Sequence, residues 1–376
     1  MSKRAFTGAD IFDGSNLLSG KALLLDGDEL AGIVAGDAIP GGYDEHRLED
    51  GTILPGFVDL QVNGGGGVMF NDETTVDGLI TIAKAHARTG THAILPTLIT
   101  DTPKRTRSAV EAVAQAIATG VPGIVGIHLE GPHLSVARKG AHDAALIRKM
   151  EPQDEALLIE AAERLPNVMA TVAPENVSPD QVKRLAQAGV IVSLGHTDCS
   201  MAQAQEAFDA GARCVTHLFN AMSQLGNREP GLVGAALATP GISAGLIADD
   251  IHVHAASMKL ALAAKTGPGA IFLVTDAMST VGSDITSFEL NGRRVLRKDG
   301  RLTLEDGTLA GADLEFARAI SVLIDRVGVP RARAYAMATS VPAGLLTSRH
   351  GLGSFTMGAT ANAIWMDSAH DKVALL

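Results

Sequence analysis

The sequence predicts an α/β chain: a closed (β/α)8 barrel of the TIM type joined to a small β domain built from both chain ends. Three observations carry that expectation. Short apolar segments alternate with helical stretches through the middle of the chain, which is the signature of parallel βα units. Eight such segments can be counted, the number a closed barrel needs. Unusual polar residues fall at the C-terminal ends of those segments, and in a barrel these ends converge on one face.

The 376 residues are 46% hydrophobic, enough to bury one large domain and a small accessory one. In the first fifty residues, AFTGADIFDG, KALLLDGDELAGIVAG and HRLEDGTILPGF read as β-hairpins of a small sheet. The barrel strands are then expected in TILPGFVDLQV, THAILPTL, GIVGIHLEG, NVMATVAPE, VIVSLGH, RCVTHLF, SAGLIADDIHV and AIFLVTDAM. Between them VDGLITIAKAHARTG, TRSAVEAVAQAIATG, PDQVKRLAQAG and MAQAQEAFDAG are amphipathic, each ending on a glycine suited to a helix C-cap. The NG, DG and DG turns of SFELNGRRVLRKDGRLTLEDGTLAG suggest a hairpin insertion near 286–310 on the barrel rim. A helical region follows, and GLGSFTMGATANAIWMD looks like strands returning to the N-terminal sheet. The chain thus divides into 1–52 with 354–376, and a barrel over 53–353.

Composition excludes several function classes. A net charge of -11 and 3% aromatic residues disfavour nucleic acid, which needs a basic face and stacking surfaces. A small anionic substrate remains compatible, because a pocket can present local donors. No segment approaches the roughly 20 apolar residues of a membrane span, and MSKRAFTGADIFDG has no apolar run behind its basic residues. Two cysteines, Cys199 and Cys214, argue against a disulfide framework. A soluble cytoplasmic protein is expected.

Hydrolytic metal sites take about three protein ligands and leave a position for water. Glu130, His196 and His217 supply that set, each following an apolar run in HLEGPH, SLGHT and THLFNAM. His128, two residues before Glu130 on one strand, points to the same side and is either a further ligand or packed in the barrel interior. Asp276 ends the eighth strand; it can exchange protons with water and a leaving amine, or cap the following turn. His142, on a glycine-bearing loop, can polarise a substrate carbonyl or be simply solvated. Arg228 and Asn220 offer a guanidinium fork and an amide in one loop, with His252 as a third donor for phosphate; Arg228 could equally pair with Glu229. Glu175 also falls at a strand end. His46, His86, His92, His133, His254, His350 and His370 lack strand-end context and read as structural or surface residues.

These motifs, HLEGPH with KGAH, GHT, THLFNAM with REPG, ADDIHV, VTDAM and GTLAG, resemble the N-acetylglucosamine-6-phosphate deacetylases of the amidohydrolase superfamily. The resemblance covers essentially the whole chain. It implies a (β/α)8 barrel with a small β-sandwich from both termini, a homodimer, and hydrolysis of N-acetylglucosamine 6-phosphate to glucosamine 6-phosphate and acetate. It implies Glu130, His196 and His217 as metal ligands, Asp276 as general acid/base, and His142 on the acetyl carbonyl. Asn220, Ala221, Arg228, His252, Ala141, Leu309, Ala310 and Gly311 are implied substrate contacts, with Arg228 and His252 reaching the neighbouring subunit's site.

Two positions depart from the common pattern. Gln61 and Asn63 stand where most amidohydrolases carry His-x-His, so the chain resembles a single-metal branch in which these amides orient water or line the site. One divalent ion per subunit is expected, zinc first and ferrous iron next. Asp250 stands where glycine is common and adds negative charge near the expected phosphate. The alternatives are a deacetylase for N-acetylgalactosamine 6-phosphate or an unphosphorylated N-acetyl amine, and a non-catalytic sugar-phosphate-binding barrel.

Overall fold

The computed structural model describes residues 2–349 and 351–376. Eight parallel strands follow one another in chain order around a barrel: Phe57–Val62, Thr91–Ile99, Ile127–Glu130, Val168–Val172, Ile191–Leu194, Cys214–Val215, Ser243–Leu246 and Ile271–Leu273. Seven parallel ladders join consecutive strands. Helices cover the outer face, so the strands are buried on both sides and read as near-continuous apolar runs. The four amphipathic segments form helices Val76–Ala87, Pro103–Ala118, Pro179–Gln187 and Met201–Asp209. Thr75, Thr102, Ser178 and Ser200 cap them by accepting a backbone N–H from the first turn.

The eighth junction is built differently. The last strand ends at Leu273, and contact with the first is made beyond it: Val62 bridges Ala277, Asp276 N–H donates to Gln61 O at 3.0 Å, and Asn63 N–H donates to Ala277 O at 2.8 Å. Asp59, fully buried, staples the seam by accepting from Thr275 Oγ1 at 2.5 Å and from Thr275 N at 3.3 Å. Burial pushes its carboxyl up to about 7. The barrel closes through residues 59–63 and 275–277, which include three of the candidate site residues.

Both chain ends build two small sheets. Four strands, Glu29–Ala35, Lys21–Asp26, Lys3–Thr7 and Asp44–Arg47, form one; Val373–Leu375, Ala363–Met366, Thr52–Pro55, Asp10–Phe12 and Leu17–Leu18 form the other. Phe6, Ile11, Leu23, Leu25, Ile53 and Ala363 belong to a common apolar cluster. The C-terminal return is as expected, Ala363–Met366 lying antiparallel to Thr52–Pro55. Three expectations for this region need correction. TILPGFVDLQV is two strands: Thr52–Pro55 stays in the small sheet and Phe57–Val62 enters the barrel. The break falls at Gly56, where a Cβ would lie 2.3 Å from the His92 ring. Neither AFTGADIFDG nor HRLEDGTILPGF is a hairpin, because each sends its two strands into different sheets. Only KALLLDGDELAGIVAG folds back on itself, pairing Lys21–Asp26 with Glu29–Ala35.

The rim insertion is a three-stranded antiparallel sheet, Ser287–Leu290, Arg293–Lys298 and Arg301–Leu304. Its turns use Asn291-Gly292 and Asp299-Gly300, all four at positive φ as primed hairpin turns require. Among the described residues no helix is long and apolar enough to cross a membrane.

Candidate active site

Glu130 ends its strand, but His196, His217 and Asp276 lie two or three residues past theirs, in turns. Their φ angles are 48°, 27° and 52°, the left-handed region that side chains other than glycine avoid. Phe219, Ala221 and Asp250 share that conformation in the neighbouring loops, at 78°, 47° and 60°. Strain of this kind costs on the order of 1–3 kcal/mol per residue and persists where the surroundings over-determine it. Here it re-aims side chains from the barrel wall into the mouth.

Glu130 Oε1 lies 3.0 Å from His196 Nε2 and 3.1 Å from His217 Nε2, and the two nitrogens are 3.1 Å apart. His196 Nδ1 is 2.9 Å from the Arg138 carbonyl oxygen, which can only accept, so Nδ1 carries a proton and the lone pair is left to Nε2. Three lone-pair atoms this close repel unless a proton or a cation lies among them. Burial alone would raise the Glu130 carboxyl, but the adjoining His196 and His217 rings hold it well below the usual range. Burial would depress His217, and the Glu130 carboxylate reverses this and raises it. A carboxylate and two imidazoles converging in a buried pocket fit a divalent transition metal such as zinc.

Beside them, Asp276 Oδ1 accepts from Asn63 Nδ2 at 2.7 Å and Gln61 Nε2 at 3.0 Å. The same Gln61 nitrogen lies 3.2 Å from Glu130 Oε2, so one amide bridges the two carboxylates. Burial, then the charge of Glu130, push the Asp276 carboxyl up to about 6. Both amides turn N–H groups toward carboxylates, where a second cation would need lone pairs.

His142 is 4% exposed and stands edge-on to His196, ring centroids 4.3 Å apart. Burial, then the neighbouring His196, push it well below its ordinary value. One ligand atom each from Glu130, His142 and His196 lie within 4.8 Å of one another, so distance alone does not separate His142 from the ligands. His128 is packed in the barrel interior: Nδ1 donates to Leu60 O at 2.9 Å and Nε2 accepts from Thr171 Oγ1 at 2.7 Å, leaving no ligand atom.

These groups open into a cavity of about 390 Å³ also lined by Ala141, Asn220, Ala221, His252, Leu309 and Gly311. Ala310 is fully buried beneath the lining. His252 is not at a strand end, since that strand stops at Leu246. It sits in the following turn, where Asp249 Oδ2 accepts from its Nδ1 at 2.6 Å. Within its own chain, Asp249 holds His252 against this cavity. Arg228 is exposed outside that cavity. It is not paired with Glu229, whose carboxylate caps Met201 N and Gly231 N instead. Asp250 is paired with Arg326 at 3.0 Å and holds Ala255 N, so its charge is balanced on the far side of the loop. Glu175 holds Thr197 Oγ1 and Asp198 N, away from the cavity. Among the remaining histidines, His86 and His133 are buried on backbone carbonyls and His370 is buried beside Tyr335; His350 lies outside the described residues.

Several contributors were not expected from the sequence. Arg138 and Asp249 hold His196 and His252, Thr100 holds His142, and Arg293 of the rim sheet donates to the Ala141 carbonyl oxygen. Thr100 directly follows the second barrel strand, so the strand-end rule applied one residue further would have found it.

Residues 52–374 match the amidohydrolase family. The chain is 42% identical over 330 residues, 88% of its length and 83% of the relative's, to the N-acetylgalactosamine-6-phosphate deacetylase of Shewanella sp. (strain ANA-3). It is 31% identical over 363 residues, 96% of its length and 94% of the relative's, to the N-acetylglucosamine-6-phosphate deacetylase of Haemophilus influenzae. Its fold is similar to the crystal structure of N-acetylglucosamine-6-phosphate deacetylase from Pasteurella multocida, with a TM-score of 0.93 at 33% identity over 99% of this chain and 98% of that one. With the parallel barrel and the buried Glu-His-His cluster at its mouth, these likenesses make the chain a member of the amidohydrolase family, whose hydrolases depend on metal.

Proposed function

We propose that this protein hydrolyses N-acetyl-D-glucosamine 6-phosphate to D-glucosamine 6-phosphate and acetate. The observation that carries the reading is the juxtaposition of the Glu130, His196 and His217 cluster with Asp276, bridged by the Gln61 amide, in a cavity of small-molecule size. Glu130, His196 and His217 would hold one divalent ion, zinc first and ferrous iron next. When bound, that ion supplies Lewis-acid polarisation and lowers the pKa of water in the site.

The chain's own groups divide the remaining work. Gln61 and Asn63 occupy Asp276 Oδ1, which leaves Oδ2 to take a proton from the attacking water and deliver it to the amine as the C–N bond breaks. A carboxyl near 6 suits both halves of that exchange around neutral pH. His142 donates to the acetyl oxygen as charge develops there. Ala141, Asn220, Ala221, His252, Leu309, Ala310 and Gly311 line or support the sugar site, and Arg228 projects toward the phosphate of a neighbouring subunit in a homodimer. The two small sheets, built from residues 3–55 and 363–375, pack as one β-sandwich domain on the barrel. The sparse, buried cysteines support a cytoplasmic setting.

A second reading rests on a specific observation: the relative at 42% identity acts, by its name, on N-acetylgalactosamine 6-phosphate. The two sugars differ in the hydroxyl at C4, which the metal cluster does not touch. Acetate release from the two phosphates and from unphosphorylated N-acetylglucosamine separates the readings. Fastest turnover of the glucosamine compound is expected; fastest turnover of the galactosamine one establishes the second reading, and no preference for phosphate refutes both.

A further inference from the structure

His142 and His196 are neighbours in one pocket, yet their rings are wired in opposite senses. His196 Nδ1 faces a carbonyl oxygen, which only accepts. His142 Nδ1 faces the backbone N–H of Thr100 at 3.3 Å, which only donates, and the Thr100 hydroxyl at 2.8 Å. A nitrogen that accepts from a peptide N–H must keep its lone pair in the ring plane, so the one proton of such a ring sits on Nε2.

We infer that Thr100 is a positioning residue that fixes His142 as an Nε2–H donor and thereby excludes it from the metal's ligands. The inference deepens the deacetylase reading and rests on its assignment of His142 to the acetyl oxygen. It also resolves the ambiguity left by distance. Glu130, His142 and His196 are all close enough to share an ion, but an imidazole nitrogen that carries a proton has no in-plane lone pair to give one.

The surroundings hold Thr100 to this task. It is 1% exposed, directly after the second barrel strand, so neither its N–H nor its hydroxyl can turn to bulk water. Gly131, just past Glu130, leaves room for the hydroxyl: a Cβ there would lie 2.3 Å from Thr100 Oγ1, and its φ of 93° disfavours any side chain. The residue after the ligand Glu130 is therefore shaped by the group that orients His142. Thr100 donates, Nδ1 accepts, and Nε2–H is directed toward the cavity where a carbonyl oxygen gains charge.

Two readouts test this. In protein labelled with 15N-histidine and loaded with 113Cd, His142 is assigned by the signal lost in His142→Asn. Its Nε2 is expected to carry the proton, its Nδ1 to show an unprotonated acceptor shift, and cadmium coupling to appear on His196 and His217 but not on His142. A proton on His142 Nδ1, or cadmium coupling at its Nε2, overturns the inference. The spectra require no turnover, so they stand even if the substrate assignment fails. Kinetics on whichever N-acetylhexosamine 6-phosphate the native enzyme cleaves fastest form the second readout. Thr100→Val, which keeps shape and peptide N–H but loses the hydroxyl, is expected to lower kcat about ten-fold with KM within about two-fold, and Thr100→Ser to restore it. Unchanged kcat in Thr100→Val, or equal loss in Thr100→Ser, contradicts the role.

Discussion

Seven junctions of this barrel are parallel ladders, one of them irregular in register, and the eighth, between the first and last strands, is an isolated bridge with loop hydrogen bonds. In the seven, backbone ladders carry the pairing, with Thr97 Oγ1 accepting Val62 N–H beside the irregular first ladder. One interior chain runs from Ser193 through Thr216 to Thr171 and His128. Because His128 Nε2 accepts, each hydroxyl must donate toward it in turn, and the chain is satisfied without reaching the cavity. At the eighth junction, side chains reinforce the few backbone bonds: Asp59 grips Thr275, and Asp276 is held by Gln61 and Asn63. The difference teaches where chemistry can be placed. Glu130 is offered from the end of a ladder strand, whereas the seam's amides hold a second carboxylate, Asp276, rigidly at the barrel mouth.

The largest expected effect comes from disabling the seam's chemistry while leaving its closure. Asp276→Asn should lower kcat by roughly 10²–10⁴-fold, the usual worth of a general acid/base, with metal content and unfolding midpoint near native. Near-native turnover would remove Asp276 from the reaction. Gln61→Leu deletes the bridge between Glu130 and Asp276 and is expected to cost roughly ten-fold in kcat while one ion remains bound; loss of the ion would make Gln61 a ligand instead.

The converse change strikes closure. Asp59→Ala strands the Thr275 hydroxyl and the N–H groups of Thr275 and Gln61, at roughly 1–3 kcal/mol for each donor left without an acceptor. Urea unfolding should register this, and an unchanged midpoint would deny the staple. The pH dependence has a definite sign. The folded pKa of Asp59, about 7, lies above its ordinary 3.8, so the native state binds the proton more tightly and stability falls as pH rises from about 4 through 7. Asp59→Asn should flatten that decline between about pH 4 and 7; an equally steep decline would assign it to other groups. The smallest effect belongs to the control on the ladder side. Ser193→Ala, at the start of the hydroxyl chain, should cost about 1 kcal/mol and leave kcat unchanged, and a large kinetic effect would erase the distinction between seam and ladder.

Much of this was legible in the sequence because barrel strands fully buried on both faces are written as apolar runs, and because strand ends converge. Glu130, His196, His217 and Asp276 were found that way. The residues that orient them were not, since His196 is held by a peptide carbonyl and His142 partly by a peptide N–H, groups every residue carries. The division of TILPGFVDLQV between two sheets is not legible because an uninterrupted apolar run does not reveal which sheet each half joins. The tether of His252 to Asp249, six residues past its strand, is not legible because it depends on the course of a loop. The charge at Asp250, adverse as the sequence reads, is balanced by Arg326, distant in sequence.

The most direct test of the central claim is elemental analysis of the purified protein, read alongside acetate release from N-acetylglucosamine 6-phosphate. One divalent ion per chain, lost together with activity in Glu130→Gln, is the expected result. A stoichiometry near two, or full activity without any ion, would contradict a single-metal site built on Glu130, His196 and His217.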